Sequence, residues 1–354
     1  MKECTVILTC CGGLVSPGMI QSLKTVSERK VRVVGVDMKE SAIGSYMVDK
    51  FYVVPPGDSP AYVETMLDIS VREGVDVILP ASNEESLTLS EHRKAFEDKG
   101  VKIAASDYEM LKIAYNKGLC YEFLEDRKLP CCKFYVVETP EEFKEAAVSL
   151  GYPEKPVVMK PLLGRGGRGT RILTATGAKD SLVTEKPGSL EADFGSVLQT
   201  LKEGDFPKML LTEFLPGEYY SVDILARDGE ALIVVPKVRI EGTPSQTLKG
   251  VVRRNQEVER IAADICRAFD FSYSINFEMK YSAAGVPLPY DINPRVAASV
   301  AFCTAAGADM LYYSVKLALG EEIPKVEIED GVRMVRYFKE LFISKDGVFH
   351  LGQV

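Results

Sequence analysis

Residues 157–170 read Val-Val-Met-Lys160-Pro-Leu-Leu-Gly164-Arg165-Gly166-Gly167-Arg168-Gly169-Thr170, and how this stretch is read decides the fold. A β-branched run ends on Lys160 and Pro161, and a glycine loop interleaved with Arg165 and Arg168 follows at once. Glycines let successive backbone N–H groups turn toward one point at little steric cost, and the lysine and arginines add positive charge there. Such a loop suits an anion with several charged oxygens, which points to a polyphosphate. The same residues would also make a tight hairpin turn with solvated arginines, so the rest of the chain has to decide between the two.

A chain of 354 residues suits two or three domains with real hydrophobic cores. No early segment joins a basic start, an apolar run and a small-residue cleavage site, and no run approaches membrane-spanning length, so the cytoplasm is the expected compartment and no membrane partner is expected. The net charge of −8 argues against nucleic acid held by general electrostatics and leaves room for a small anion in a local basic pocket. Cys4, Cys10, Cys11, Cys120, Cys131, Cys132, Cys266 and Cys303 show no Cys-x-x-Cys spacing and read as reduced thiols. With only His92 and His350 available, chemistry must rest on Lys, Arg, Asp and Glu.

From the amino terminus the pattern alternates strand and helix. Residues 5–9 read as a buried strand, Ser16 and Pro17 as a helix start, and residues 31–36 as a second strand ending in Asp37. An acid there would suit a dinucleotide ribose, but Gly12, Gly13 and Gly18 do not space as Gly-x-Gly-x-x-Gly. Strands at 51–54, 75–79 and 101–105 follow, with Ser82 and Glu85 forming a capping box for a helix running to Gly100. Residues 1–113 are thus expected to form a doubly wound parallel α/β domain whose ligands lie at the carboxyl ends of the strands, near Asn83, Glu84 and Glu85.

Helix is expected from 108 through 124, a strand at 133–137, and a helix begun by Thr139, Pro140 and Glu142. After the glycine loop come a helix around 191–202, a strand at 209–212, and the segment Glu213-Phe214-Leu215-Pro216-Gly217-Glu218. Asp228-Gly229 turns one hairpin, and a helix spans 255–269. Residues 273–281 and 287–292 read as two strands joined around Ala283-Ala284-Gly285. A helix at 306–319 and a tail at 332–343 read as scaffold.

Asp291 and Asn293 lie two apart and project from one face of their strand, where Glu278 meets them from the neighbouring one. Oxygen donors so placed suit a hard divalent cation that leaves positions for phosphate oxygens, and magnesium is the natural ion. A glycine-rich cationic loop and a magnesium site together suit a polyphosphate, whose handling consists of positioning the phosphates and neutralising their charge.

These residues resemble the ATP-grasp superfamily, in particular the branch of biotin carboxylase and the large chain of carbamoyl phosphate synthase. The resemblance implies an α/β domain followed by an ATP-grasp fold of two α+β subdomains, over residues 114–320, with a lid at about 130–212, a larger part at 213–320 and a tail at 321–354. It further implies that Lys117 and Lys160 hold ATP phosphates, that Gly164, Gly166, Gly167, Arg168 and Gly169 close over them, that Glu213, Phe214 and Leu215 read adenine, and that Glu218 takes the ribose hydroxyls. Asn276-Phe277-Glu278 is similar to the family's Asn-x-Glu, and Asp291 and Asn293 take the places of its Glu-x-Asn metal pair, with an acid one methylene shorter. Arg295 then faces the transferred phosphoryl group. Val296-Ala297-Ala298-Ser299 departs from the Gln-Val-Glu-His stretch of biotin carboxylase, and the grasp region is present once, unlike a complete carbamoyl phosphate synthase.

The implied activity is a ligase that uses ATP and two Mg2+ ions, with Mn2+ as the alternative ion, to join a small-molecule carboxylate to an amine through an acyl phosphate. Lys160 and Arg295 would act on the phosphates, and Arg239, supported by Lys237 or Arg253, on the acceptor carboxylate. A homodimer fits the apolar first domain. The rival readings are an ATP-binding sensor without turnover, or a subunit of a larger carbamoyl phosphate synthase-like assembly.

Overall fold

The structure is a computed structural model that describes residues 2–164, 167–175, 190–243, 246–345 and 347–349. Its first sheet is wholly parallel: β1 (Cys4–Leu8), β2 (Val31–Asp37), β3 (Lys50–Val53), β4 (Val77–Leu79) and β5 (Lys102–Ile103) lie in the order β3-β2-β1-β4-β5. Both faces are covered, so the strands are continuous apolar runs rather than alternating ones. Period two still sorts their side chains: Val6, Leu8, Val33, Val77 and Leu79 enter one core, and Ile7, Val34, Val36 and Ile78 the other. The first of these cores is shared with Phe302, Cys303, Met310, Leu311 and Val315 of the two carboxyl-terminal helices and with Val235 and Val252 of the third sheet. The first and last parts of the chain therefore fold against each other.

The second sheet is mixed, in the order β6-β10-β7-β8-β9, from β6 (Phe134–Val137), β7 (Val157–Pro161), β8 (Arg171–Thr174), β9 (Glu191–Asp193) and β10 (Met209–Glu213). A third sheet, antiparallel throughout, joins β11 (Tyr219–Arg227), β12 (Glu230–Thr243), β13 (Gln246–Val252), β14 (Tyr273–Tyr281), β15 (Pro287–Asn293) and β16 (Arg333–Val335) in the order β15-β14-β11-β12-β13-β16. Alternation gives this sheet two unlike faces. Val222, Ile224, Ile275, Phe277, Met279 and Ile292 pack on the helix Gln256–Ala268, whose buried Val258, Ile261 and Ile265 each contribute roughly 1.5–3 kcal/mol. Ser221, Asp223, Asn276, Glu278, Asp291 and Asn293, one residue out of phase, point the other way.

Several elements depart from the sequence expectation for identifiable reasons. The helix expected over 108–124 is two helices, Tyr108–Tyr115 and Lys117–Asp126, because the Asn116 side chain accepts the Gly118 and Leu119 N–H groups and caps the second. Ser16 lies inside its helix, its hydroxyl donating to the Cys11 and Gly13 carbonyls instead of capping. The helix expected to Gly100 breaks at His92 into Asn83–Glu91 and Arg93–Glu97. Residues 191–202 divide into β9 and the helix Phe194–Leu201, and the helix expected at 306–319 is Val300–Ala305 followed by Met310–Ala318. Among the described residues no helix is long and apolar enough to cross a membrane.

At the carboxyl ends of the parallel strands the acids are already engaged. Asp37 accepts the Gly12 N–H at 2.6 Å, and Glu85 accepts the hydroxyls of Thr9 at 2.6 Å and Ser82 at 2.9 Å. A Cβ on residue 12 would lie 2.7 Å from the Asp37 carboxylate, so the first loop needs glycine there for its own turn.

Candidate active site

Between the second and third sheets lies a cleft lined by Lys117, Lys160, Arg239, Glu278, Asp291 and Asn293 among others. Lys160 stands on β7 of the second sheet, yet its ammonium donates to the Tyr290 carbonyl of β15 at 2.7 Å and to the Tyr121 hydroxyl at 3.3 Å. It lies over both tyrosine rings. Only 4% exposed, it pays heavily for charge: burial, with the Lys117 charge nearby, brings its pKa down to about 8. Lys117, carried to the cleft as the first residue of its helix, forms an ion pair with Asp291. Burial presses its pKa down, but the Asp291 carboxylate outweighs burial and holds it above the ordinary lysine value.

Glu278 and Asp291 are direct cross-strand partners, as are Asn276 and Asn293, so four polar side chains leave two adjacent strands on one face. Burial, reinforced by the like charge of Asp291, raises the pKa of Glu278. Asp291 is driven up by burial as well, but Lys117 and Lys160 more than offset this and hold it below its usual value. Two half-buried carboxylates side by side call for positive charge between them. Among the described residues no three His, Cys, Asp or Glu side chains come together, so a cation here would have two carboxylates and the Asn293 amide oxygen. That donor set fits magnesium, which is held by one or two carboxylates and completes its shell with phosphate oxygens and water.

Toward the other end of the cleft, Arg239 stacks on the Tyr219 ring, 4.1 Å from its centroid, and donates to the Tyr219 hydroxyl at 2.8 Å and the Thr247 hydroxyl at 3.1 Å. Its guanidinium stands 3.9 Å from Glu278. Arg295 donates to the Val296 carbonyl at 2.8 Å and to the Asn293 side-chain oxygen at 3.3 Å, and also lines the cleft. The two cations expected to support Arg239 do not do so. Lys237 is buried behind the site, bonded to Asp223 and to the Ser299 hydroxyl, and Arg253 is exposed and paired with Glu218. Asp223 also accepts from the Asn276 amide at 2.7 Å and the Cys303 thiol at 2.9 Å, so the Lys237–Asp223 pair holds up the floor of the cleft. Replacing Lys237 with methionine should strand a buried carboxylate and lower stability by about 3 kcal/mol, read as a fall in melting temperature.

Of the glycine loop, Gly164, Gly167 and Arg168 line the cleft, and Gly169 lines a neighbouring open depression with Pro161, Leu163 and Glu84. Gly166 lies outside the described residues. Glu213, Phe214, Leu215 and Glu218 do not line the cleft. They run along the junction of the second and third sheets, with Glu213 accepting the Lys133 N–H at 2.9 Å, Lys280 over the Phe214 ring, Leu215 buried beside Tyr121 and Leu288, and Glu218 paired with Arg253. Gly217 at this junction is obligatory, since a Cβ there would meet the Cβ of Tyr281 at 2.4 Å.

Among the charged residues that line the cleft, one lies outside the sequence expectation. Arg336, from the tail read as scaffold, reaches the cleft because β16 pairs with β13 at the edge of the third sheet. Its signal was parity: Val332, Met334 and Arg336 alternate inward while Arg333 and Val335 are exposed, and an arginine at an inward position needs a partner.

Two sheets gripping a cleft, with Lys160 on one and Glu278 and Asp291 on the other, are the arrangement of the ATP-grasp fold. Residues 205–340 match the family described as ATP-grasp in the biosynthetic pathway with Ter operon, and residues 7–104 match the PylC-like N-terminal domain. The carbamoyl phosphate synthase arginine-specific large chain of Halalkalibacterium halodurans is 23% identical over 77% of this chain and 25% of its own length. The chain thus spans about a quarter of the length of that curated relative. In fold it is similar to N5-carboxyaminoimidazole synthetase from Staphylococcus aureus complexed with ADP, with a TM-score of 0.70 at 16% identity over 94% of this chain and 82% of the other. The biotin carboxylase domain dimer of Hydrogenobacter thermophilus 2-oxoglutarate carboxylase, in complex with MgADP and bicarbonate, gives 0.68 at 16% identity over 93% and 73%.

Proposed function

We propose that this chain is an ATP-dependent carboxylate–amine ligase that joins a small carboxylic acid to an amine and releases ADP and phosphate. The observation that carries the reading is Lys160: a lysine of the second sheet is held by the strand of the third that bears Asp291, so the phosphate-binding cation and the metal-binding acids face one space. The relatives and fold neighbours, which include a complex with MgADP, support ATP and magnesium in that space.

Lys117 and Lys160 bind the phosphate chain and orient it, with Gly164, Gly167 and Arg168 supplying backbone donors and charge above. Glu278, Asp291 and Asn293 would hold two magnesium ions, with manganese as a substitute; when bound these would supply neutralisation of the phosphate charge. An acceptor carboxylate oxygen attacks the γ-phosphorus, the bond from that phosphorus to the β–γ bridging oxygen breaks, and ADP leaves. Arg295 stabilises the charge on the phosphoryl group in flight, and Arg239 orients the acceptor. The amine then attacks the acyl carbon, the amide forms with loss of a proton, and phosphate leaves with the bonding electrons. Glu213, Phe214 and Leu215 at the junction of the two sheets take adenine, and Glu218 takes the ribose once Arg253 lets it go.

The test is a coupled ADP-release screen over pairs of carboxylic acids and amines. Release that needs both partners supports the ligase; tight ATP binding with no release from any pair favours the second reading, a nucleotide-binding sensor or a subunit of a larger synthase-like assembly. The modest share of its relatives that this chain spans motivates that alternative. A homodimer, proposed from the apolar first domain and in keeping with the biotin carboxylase domain dimer, is checked by light scattering.

A further inference from the structure

We infer that Arg336, on the carboxyl-terminal segment, receives the acceptor's carboxylate and seats the acid against Ala297 and Ala298. This deepens the ligase reading and rests on it. Arg336 is fixed by its backbone, whose N–H bonds the Leu248 carbonyl at 2.8 Å just beyond the β13–β16 pairing. One guanidinium nitrogen donates to the Ala298 carbonyl at 2.9 Å, which places the group beside the Ala297-Ala298-Ser299 wall of the cleft. Its Nε is buried without a hydrogen-bond partner. Lys117 and Arg239, on the same cleft, each have a carboxylate within ion-pair distance, whereas Arg336 has none among the described residues.

A half-buried guanidinium with no counter-charge is expensive, and here burial does lower its pKa below the ordinary arginine value. Something that enters the cleft must bring the missing negative charge. The planar fork of a guanidinium matches a carboxylate through two parallel N–H donors, and the short methyl side chains of Ala297 and Ala298 leave room beside it for the acid.

The experiment compares the full chain with its R336Q and R336K variants. Acid and amine pairs are screened for ADP release, and KM for the acid and for ATP are then measured separately on the best pair. In R336Q the KM for the acid should rise about 10- to 100-fold while KM for ATP stays within about twofold, with R336K in between because it keeps the charge and loses the fork. An unchanged KM for the acid, or equal losses for acid and ATP, overturns the assignment. Should no pair turn over, the ligase reading fails by itself, and Arg336 is judged by thermal shift with MgADP present and the same acids as probes. An acid that stabilises the wild-type chain but not R336Q supports the inference; stabilisation of both alike, or of neither by any acid, overturns it. If R336Q melts too low to assay, R336K alone carries the comparison with the same readouts.

Discussion

Asp291→Asn should lower the rate of ADP release by about a thousandfold or more, since metal-borne charge neutralisation is worth several kcal/mol at the phosphoryl group. The amide keeps the size of the side chain and removes its charge. It thereby removes the partner of the Lys117 ammonium as well as one of the two acids paired across β14 and β15. The metal dependence separates these losses. If Asp291 acts as a metal ligand, the Mg2+ concentration giving half-maximal rate should climb steeply in the variant. If it only neutralises Lys117, that concentration should stay at the wild-type value while the rate falls, and the metal assignment would be wrong. Stripping metal from the wild-type chain with a chelator should abolish ADP release, and adding Mg2+ should restore it.

Lys160→Met should weaken MgADP binding by about a hundredfold, because charge-assisted hydrogen bonds to phosphate are lost inside a shielded cleft. Its pH dependence is the sharper test. Burial sets the pKa of Lys160 at about 8, so below that pH the free protein carries the ammonium the phosphates need, and above it the group is neutral. Affinity for MgADP should therefore be flat below pH 8 and fall by up to about tenfold per unit above it, whereas the methionine variant should show neither the affinity nor this slope. The sign for stability is opposite. Between pH 8 and the ordinary lysine pKa near ~10.4, the unfolded chain holds a proton that the folded chain has released, so this residue lets the unliganded protein gain stability as pH rises through that window. A calorimetric titration at several pH values measures the binding slope, and a slope that survives in Lys160→Met would assign it to another group.

Much of the architecture could be read along the chain because it depends on local rules. The alternation of apolar strands with capped helices predicts the parallel sheet, and the caps at Thr139, Asn255 and Ser82 form as their side chains require. The Asp291-x-Asn293 spacing places two oxygens on one face by strand geometry alone, and Glu278 meets them because the antiparallel register makes it the direct partner of Asp291. Where local signals compete, the sequence alone leaves the outcome open. Asn116 could continue a helix or cap a new one, and capping prevails because it starts a helix with Lys117 aimed at Asp291.

By itself the sequence determined which residues can carry charge, turn tightly or face a common side, since those properties belong to side-chain chemistry and to the periods of helix and strand. It could not determine which cations share the cleft. Lys237 and Arg239 sit two apart on β12, so parity puts them on the same face, yet one is sealed against Asp223 and the other opens on the site. Arg336, nearly a hundred positions further along, reaches the same cleft only because a short edge strand pairs with β13. Burial and long-range pairing are properties of the assembled sheets, and they select the working charges from a chain that offers many.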